Sequence, residues 1–298
     1  MATADRDGGS RGSEASHSGS PTARRIVLGA RLRRLREECE ISRADAGYAI
    51  RGSESKISRL ELGRVSFKPR DVNDLLTMYG VADPAVREQF LEMVKASNEP
   101  GWWQRYADQL ADWFLDYLGL EESASRIQSF EQQFFPGLMQ TEEYARAIAT
   151  SGGSELASVH EDRRVTVRLR RQALLARPDA PKLWAIIDES VLHRPTGGRR
   201  VMLAQTEHVL ELTKRPNITL QMVPYRLSGY AAEGSFTLLR FAERELPTVV
   251  YLEHLTGALY LDKPVEVEQY GRAFDRVTVD AMTPAQTRQV LVKLRAEL

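Results

Sequence analysis

The chain has 298 residues, with 41 Lys+Arg balancing 41 Asp+Glu, 42% hydrophobic residues and one Cys, which fits one large domain or two ordinary ones with a real core. A lone Cys excludes a disulfide framework and a Cys-based zinc site, and suits a reducing cytoplasm. No apolar run approaches the ~18–20 residues of a membrane span, and the polar, Gly/Ser-rich first twenty residues lack the apolar stretch of a secretory signal.

Taken in chain order, residues 1–22 are predicted to be a disordered tail, because they bury too little to offset their ordering entropy. From Ala23 the pattern is helical: Leu28, Leu32, Leu35 and Cys39 recur at four, three and four, on one face. Ser42 caps a short helix carrying Ala46, Ala49 and Ile50. Arg51-Gly52 makes a tight turn in which Gly52 is able to take positive φ. Ser53 caps the next helix, with Ile57 and Leu60 inward and Gly63 as its stop. Val72, Leu75, Leu76 and Tyr79 mark a fourth helix, and Asp83-Pro84 opens a fifth with Val86, Phe90 and Val94 inward.

Asn98-Glu99-Pro100-Gly101 breaks this periodicity and is the predicted domain boundary. Beyond it come an aromatic-rich helix (Trp102, Trp103, Tyr106, Trp113, Phe114, Tyr117), a stretch at 127–135 ambiguous between helix and strand, and a helix begun by Thr141-Glu142-Glu143. A longer Arg-rich helix follows over 159–177. Short β-rich runs at 183–187, 218–223, 236–241 and 248–252 come next, with a helix over 201–212 between the first two. The end is helical again, with a Thr283-Pro284 cap. The fold class expected is α+β overall: a tail (1–22), an all-α five-helix helix-turn-helix domain (23–97) and a mixed α+β domain with a small sheet (98–298).

Charge neutrality is an average over unlike parts. Residues 21–70 hold thirteen Lys/Arg and six Asp/Glu, a net of +7, whereas residues 1–20 carry −1 and residues 71–298 carry −6. A basic head on an acidic body is drawn to a polyanion. Arg33, Arg34 and Arg36 are equally open to the plainer reading of a solvated helix face, so the motif inside the segment decides. Residues 41–64 read ISRADAGYAIRGSESKISRLELGR: two short helices, a tight turn, and a small Gly47 at the crossing. Such a second helix stands clear of the body and enters a major groove by its N-terminal residues. Ile57 and Leu60 anchor it, leaving Ser53, Glu54, Ser55, Lys56 and Arg59 outward.

SESKISRLELGR, preceded by GARLRRLREECEIS, resembles the helix-turn-helix of the xenobiotic-response-element family, which includes phage Cro and repressor proteins. PGWWQRY, DYLGLEESASRI, PGLMQTEEYARA, LWAIIDESVLHRP and VVYLEHLTGALYLDKP are similar to the C-terminal domain of actinobacterial regulators described as antitoxin-like. The likeness covers nearly all of 23–298. It implies base-reading positions at Ser53, Glu54, Ser55 and Lys56, with Arg59 one turn later and suited to the bidentate pair with guanine O6 and N7. Arg43 stands where the family usually has Gln, which implies a phosphate contact. Two departures bear on the operator sequence and the turn: Glu54 lies where Gln is common, and Arg51 takes the usual turn Gly position.

The resemblance further implies a homodimer on a pseudo-palindromic double-stranded DNA operator, with half-sites about one helical turn (~34 Å) apart. The acidic domain would receive a signal from a small partner protein, which the resemblance favours, or from a small molecule in a largely apolar pocket. The expected setting is cytoplasmic and nucleoid-associated, with no membrane. Competing readings are an antitoxin-like interaction module whose DNA contact is incidental, and an enzyme fused to a DNA-binding domain.

For the enzyme reading, Asp188, Glu189 and His193 form the one conceivable acid/base cluster, though a strand end before a helix is an ordinary place for capping carboxylates. His160, His208 and His254 have no partner at metal-ligand spacing, and neither a phosphate loop nor a nucleophile elbow occurs. No catalytic residue, metal or cofactor is therefore expected. Cys39 reads as core, and the paired aromatics as core or interdomain seam. The run Arg163, Arg164, Arg168, Arg170, Arg171 reads as solvated surface with local ion pairs.

Overall fold

The computed structural model describes residues 20–150, 158–226 and 234–298. Most of the predicted tail lies outside the described residues. Its last residues do not belong to a tail: the first helix, α1 (Pro21–Glu38), begins two residues before Ala23. Ser20 is its cap, accepting from the Ala23 amide at 3.2 Å, and Pro21 sits at the first helical position. Ser20-Pro21 is the same cap-plus-Pro signal as Asp83-Pro84, hidden inside a polar Gly/Ser-rich stretch, and Ser20 is also held from afar. It donates to the Gly119 carbonyl, and its own amide reaches Ser123 Oγ at 2.6 Å.

Four further helices complete the head: α2 (Arg43–Ala49), α3 (Glu54–Glu61), α4 (Pro69–Met78) and α5 (Pro84–Asn98). The predicted inward residues Leu28, Leu32, Ala46, Ile57, Leu60, Val72, Leu75, Leu76 and Val94 are buried in one cluster. Cys39 departs from its predicted place. α1 ends there, so Cys39 is the exposed C-cap, and its thiol donates to the Tyr79 carbonyl at 3.3 Å.

The first four helices end in the same way. An amide two residues past the cap bonds back to the carbonyl five residues earlier: Ile41 to Arg36 (3.1 Å), Gly52 to Gly47 (2.8 Å), Arg64 to Arg59 (2.9 Å) and Val81 to Leu76 (3.0 Å). The residue between takes a left-handed conformation, which is Gly63 and Gly80 in two cases but Glu40 (φ 54°) and Arg51 (φ 52°) in the others. Positive φ in the α2–α3 turn thus falls on Arg51, not Gly52, because the cap is Ile50 and the next residue takes the left-handed place. At Gly52 a Cβ would meet only the flexible Lys56 side chain closely, at 2.8 Å from Cδ. Replacing Arg51 by Gly should stabilise the protein by about 0.5–1 kcal/mol, since the left-handed region costs an L side chain roughly 1–2 kcal/mol and glycine's extra chain entropy returns part of that. A raised urea midpoint checks this.

The expected aromatic helix is two elements, a 3-10 turn (Trp102–Tyr106) and α6 (Asp112–Ser123). Trp103 is buried with Leu110, Leu118 and Val167, so the aromatics build core. Gly119 on α6 is where α1 comes close, since a Cβ there would overlap the Thr22 side chain. The head is fastened to the body here and at residues 241–246. There Leu246 joins the buried cluster of the head, and Glu245 pairs with Arg31 at 3.2 Å.

The body is a six-stranded sheet in the order β3-β2-β1-β4-β5-β6. Its strands are β1 (Arg126–Glu131), β2 (Lys182–Asp188), β3 (Ile218–Val223), β4 (Phe236–Arg240), β5 (Val249–His254) and β6 (Gly257–Leu261). β1, β2 and β3 run parallel, and β4, β5 and β6 add antiparallel. The four expected β runs are all strands, and the ambiguous 127–135 stretch supplies β1. β6 is new: it follows a two-residue hairpin of Leu255-Thr256, without the Gly or Asn that usually signals one.

α7 (Glu142–Thr150), α8 (Ser158–Gln172), α9 (Ser190–His193), α10 (Arg199–Leu212) and α12 (Pro284–Glu297) lie in the body, with α11 (Pro264–Asp280). Strand alternation serves two cores. Leu183, Ala185, Ile187 and Leu239 pack with α6, α7, α10 and α12 residues, while Ile186, Leu238 and Val250 pack with Phe274 and Val277 of α11. The arginine run on α8 is not uniformly solvated. Arg163, Arg164 and Arg170 are exposed, but Arg168 is half-buried on Gln140 Oε1 (3.1 Å) and Arg171 is buried on Glu121. A carboxylate buried on the neighbouring α6 is what draws Arg171 inward.

Candidate nucleic-acid interface

The α2–α3 unit is built from its caps outward. Ser42 Oγ accepts from the Asp45 amide at 3.1 Å and Ser53 Oγ from the Lys56 amide at 3.2 Å, so both helices start where the sequence places them. Gly47 lets the start of α3 approach α2, since a Cβ there would lie 2.9 Å from the Ser53 carbonyl carbon. A second close approach was not read from the sequence. A Cβ on Gly29 of α1 would overlap the Leu60 and Glu61 carbonyls, so α3 rests backbone-to-backbone on α1. Gly29 sits between Leu28 and Leu32 in the apolar stripe, which was the available signal.

These contacts fix α3 by its inner face, its far end and the backbone of its start, leaving the side chains of the near end open. Ser53, Glu54, Ser55 and Arg59 are all exposed, and Arg59 forms no ion pair among the described residues. Two of the expected contact residues have partners within the head. Lys56 is half-buried, its Nζ 2.6 Å from Asp71 Oδ2 on α4. Arg43 Nε lies 3.2 Å from Glu61 Oε2, which leaves the rest of its guanidinium free of bonds among the described residues. Both therefore hold α3 in place, which leaves fewer of their N–H groups for DNA.

Glu61 is the centre of that arrangement. Its carboxylate, 4% exposed, takes Arg36 Nε at 2.5 Å and Nη2 at 3.1 Å from α1, together with Arg43 from α2. The bond to Glu61 holds the Arg36 guanidinium above its ordinary pKa. Three helices thus meet on one buried carboxylate at the far end of α3.

Two exposed residues beside α3 were not read from the sequence as contacts. Tyr48 is 87% exposed on α2, because Ala46, Gly47 and Ile50 use the inward face. Arg51 projects from the turn just before Ser53 and forms no ion pair among the described residues. An aromatic ring and a cation flanking a helix start are suited to a sugar-phosphate backbone.

Elsewhere, the Asp188, Glu189 and His193 cluster is occupied with the backbone. Asp188 Oδ1 accepts from the Ser190 amide at 2.8 Å and Glu189 Oε2 from the Tyr225 amide at 2.7 Å. His193 is exposed, stacked on Tyr225, and 3.5 Å from Glu189. Among the described residues no group of three or more His, Cys, Asp or Glu is placed to hold a metal ion, and no helix is long and apolar enough to cross a membrane.

Neither a curated protein nor a solved structure matches the chain. Two family models do: a helix-turn-helix domain over residues 27–90, and a domain of unknown function, DUF5753, over residues 114–293. The first covers the interface just described, and the second covers more than half of the chain. The chain belongs to the DUF5753 family and is a DNA-binding regulator whose helix-turn-helix head precedes that domain.

Proposed function

We propose that the protein is a cytoplasmic, nucleoid-associated, sequence-specific transcriptional regulator of the xenobiotic-response-element type, acting without catalysis. A homodimer inserts α3 of each copy into successive major grooves of a pseudo-palindromic operator. Ser53, Glu54, Ser55 and Arg59 meet base edges, while Arg43, Lys56 and Arg51 lie along phosphates. The antitoxin-like body receives a signal from a small partner protein or a small ligand and passes it to the head through the α1–α6 seam and the Glu245–Leu246 clamp. One observation carries this reading: α3 is buried at its inner face and far end while its polar start is exposed in a segment of net charge +7.

Gel-shift titration against the promoter of the protein's own gene tests it. Arg59→Ala should weaken specific binding about 10- to 100-fold, the worth of one bidentate guanine contact, and leave binding to unrelated duplex nearly unchanged. Arg51→Ala should weaken both alike and flatten the salt dependence, as expected of a phosphate contact. Equal affinity for every duplex by the unaltered protein would instead favour an interaction module with incidental DNA contact.

A further inference from the structure

A cavity of about 210 Å³ opens between the end of α10, the edge strand β3 and the first turn of α12. At ~30 Å³ per water it has room for about seven waters, or one organic molecule the size of benzoate or hexanoate. Its lining includes the apolar side chains of Ile218, Leu220 and Leu291 and the polar residues Thr213, Thr219, Thr287 and Arg288.

Two of these side chains have unused hydrogen-bonding capacity. Thr287 is 1% exposed, and its hydroxyl has no hydrogen-bond partner. A helical threonine ordinarily turns that hydroxyl back to the carbonyl four residues earlier, and a buried polar group left alone is uncommon and costly. Arg288 uses Nη1 on the Leu210 carbonyl (3.0 Å) and Thr213 Oγ1 (3.2 Å), leaving Nε and Nη2 without a bond among the described residues. Three cations and one carboxylate lie near the mouth. Lys214, Arg288 and Arg215 together hold the Glu211 carboxyl below its ordinary pKa, Lys214 most strongly, and the N-terminal end of the 14-residue α12 faces the same space.

We propose that this cavity is a binding site for a small organic carboxylate, whose oxygens meet Arg288 and Thr287 and whose hydrocarbon part lies on Ile218, Leu220 and Leu291. The planar guanidinium matches a carboxylate, and the apolar lining sets the preference for a hydrophobic acid over acetate or phosphate. This deepens the sensing role given to the body in the proposed function, and the two are separable by experiment.

Calorimetric titration of the full-length protein with sodium benzoate and sodium hexanoate should give saturable binding to at least one. Benzamide, hexanamide, acetate and inorganic phosphate should bind at least 10-fold more weakly. Arg288→Gln should weaken binding at least 10-fold. Thr287→Val keeps the shape and removes the unbonded hydroxyl; it should weaken binding several-fold while leaving the melting temperature unchanged or higher. That combination does not arise from misfolding. Absence of saturable binding by both acids, equal binding of the neutral amides, or undiminished binding by Thr287→Val overturns the site. Carboxylate binding that leaves operator affinity unchanged in a parallel gel shift keeps the site and overturns its use in sensing.

Discussion

Glu61→Gln is expected to destabilise the helical head by about 3–5 kcal/mol and to weaken operator binding with it. Removing one partner of a buried ion pair leaves the other charge without compensation, and costs of that order are typical. Here the charge left behind is Arg36, whose side chain is 8% exposed. A glutamine offers one acceptor where the carboxylate takes Arg36 Nε, Arg36 Nη2 and Arg43 Nε, and it turns an amide donor toward a guanidinium. Arg43→Ala should cost far less, about 1 kcal/mol at most, because its side chain is 37% exposed and water replaces the lost bond. The double replacement Arg36→Met with Glu61→Leu should recover much of the loss, since apolar groups of similar volume often equal a buried pair. Urea melts followed by circular dichroism measure all three. A cost below 1 kcal/mol for Glu61→Gln would mean that the carboxylate does not hold α3 on α1.

Much of the head was legible because its signals are local. Ser42, Ser53 and Asp83 cap the helices that they were expected to cap, and Leu28, Leu32, Ile57 and Leu60 point inward as their spacing requires. What misled were features set by distant partners. Cys39 continues the apolar spacing, yet the helix has already ended. Arg171 sits among exposed arginines, and only the fold places Glu121 beside it. Lys56 and Arg43 read as free cations because nothing in residues 41–64 announces that Asp71 and Glu61 will meet them. β6 failed for a local reason, a Leu-Thr turn lacking positive-φ residues. The binding surface was therefore legible as a segment, while the split between contact and support within it depended on the packing of α1, α3 and α4. The cavity beneath α12 left no trace in sequence, since its walls come from residues 213–220 and 284–291.

Arg171→Met should destabilise the body by a similar margin, about 3–5 kcal/mol, and the consequence for DNA binding separates two roles of the α6 seam. Arg171 makes two parallel bonds to Glu121, Nε to Oε2 and Nη2 to Oε1, both at 2.7 Å. Its guanidinium lies over Phe114 and Tyr117, and the Tyr117 hydroxyl donates to the same carboxylate at 2.9 Å. Methionine fills the space but leaves Glu121, 2% exposed, with one hydroxyl for company. Arg171→Lys should also cost stability, because a point charge replaces neither the fork nor the stacking. α6 holds the head as well, through Ser20 on Gly119 and the close approach of Thr22. If the seam only supports the body, the Arg171→Met protein, assayed well below its lowered melting temperature, should bind operator with unchanged affinity. If the seam sets the spacing of two heads in a dimer, affinity for the full palindrome should fall while affinity for a single half-site stays the same. The proposed route of signalling through α6 requires the second result, and affinity unchanged by the substitution on both duplexes removes it.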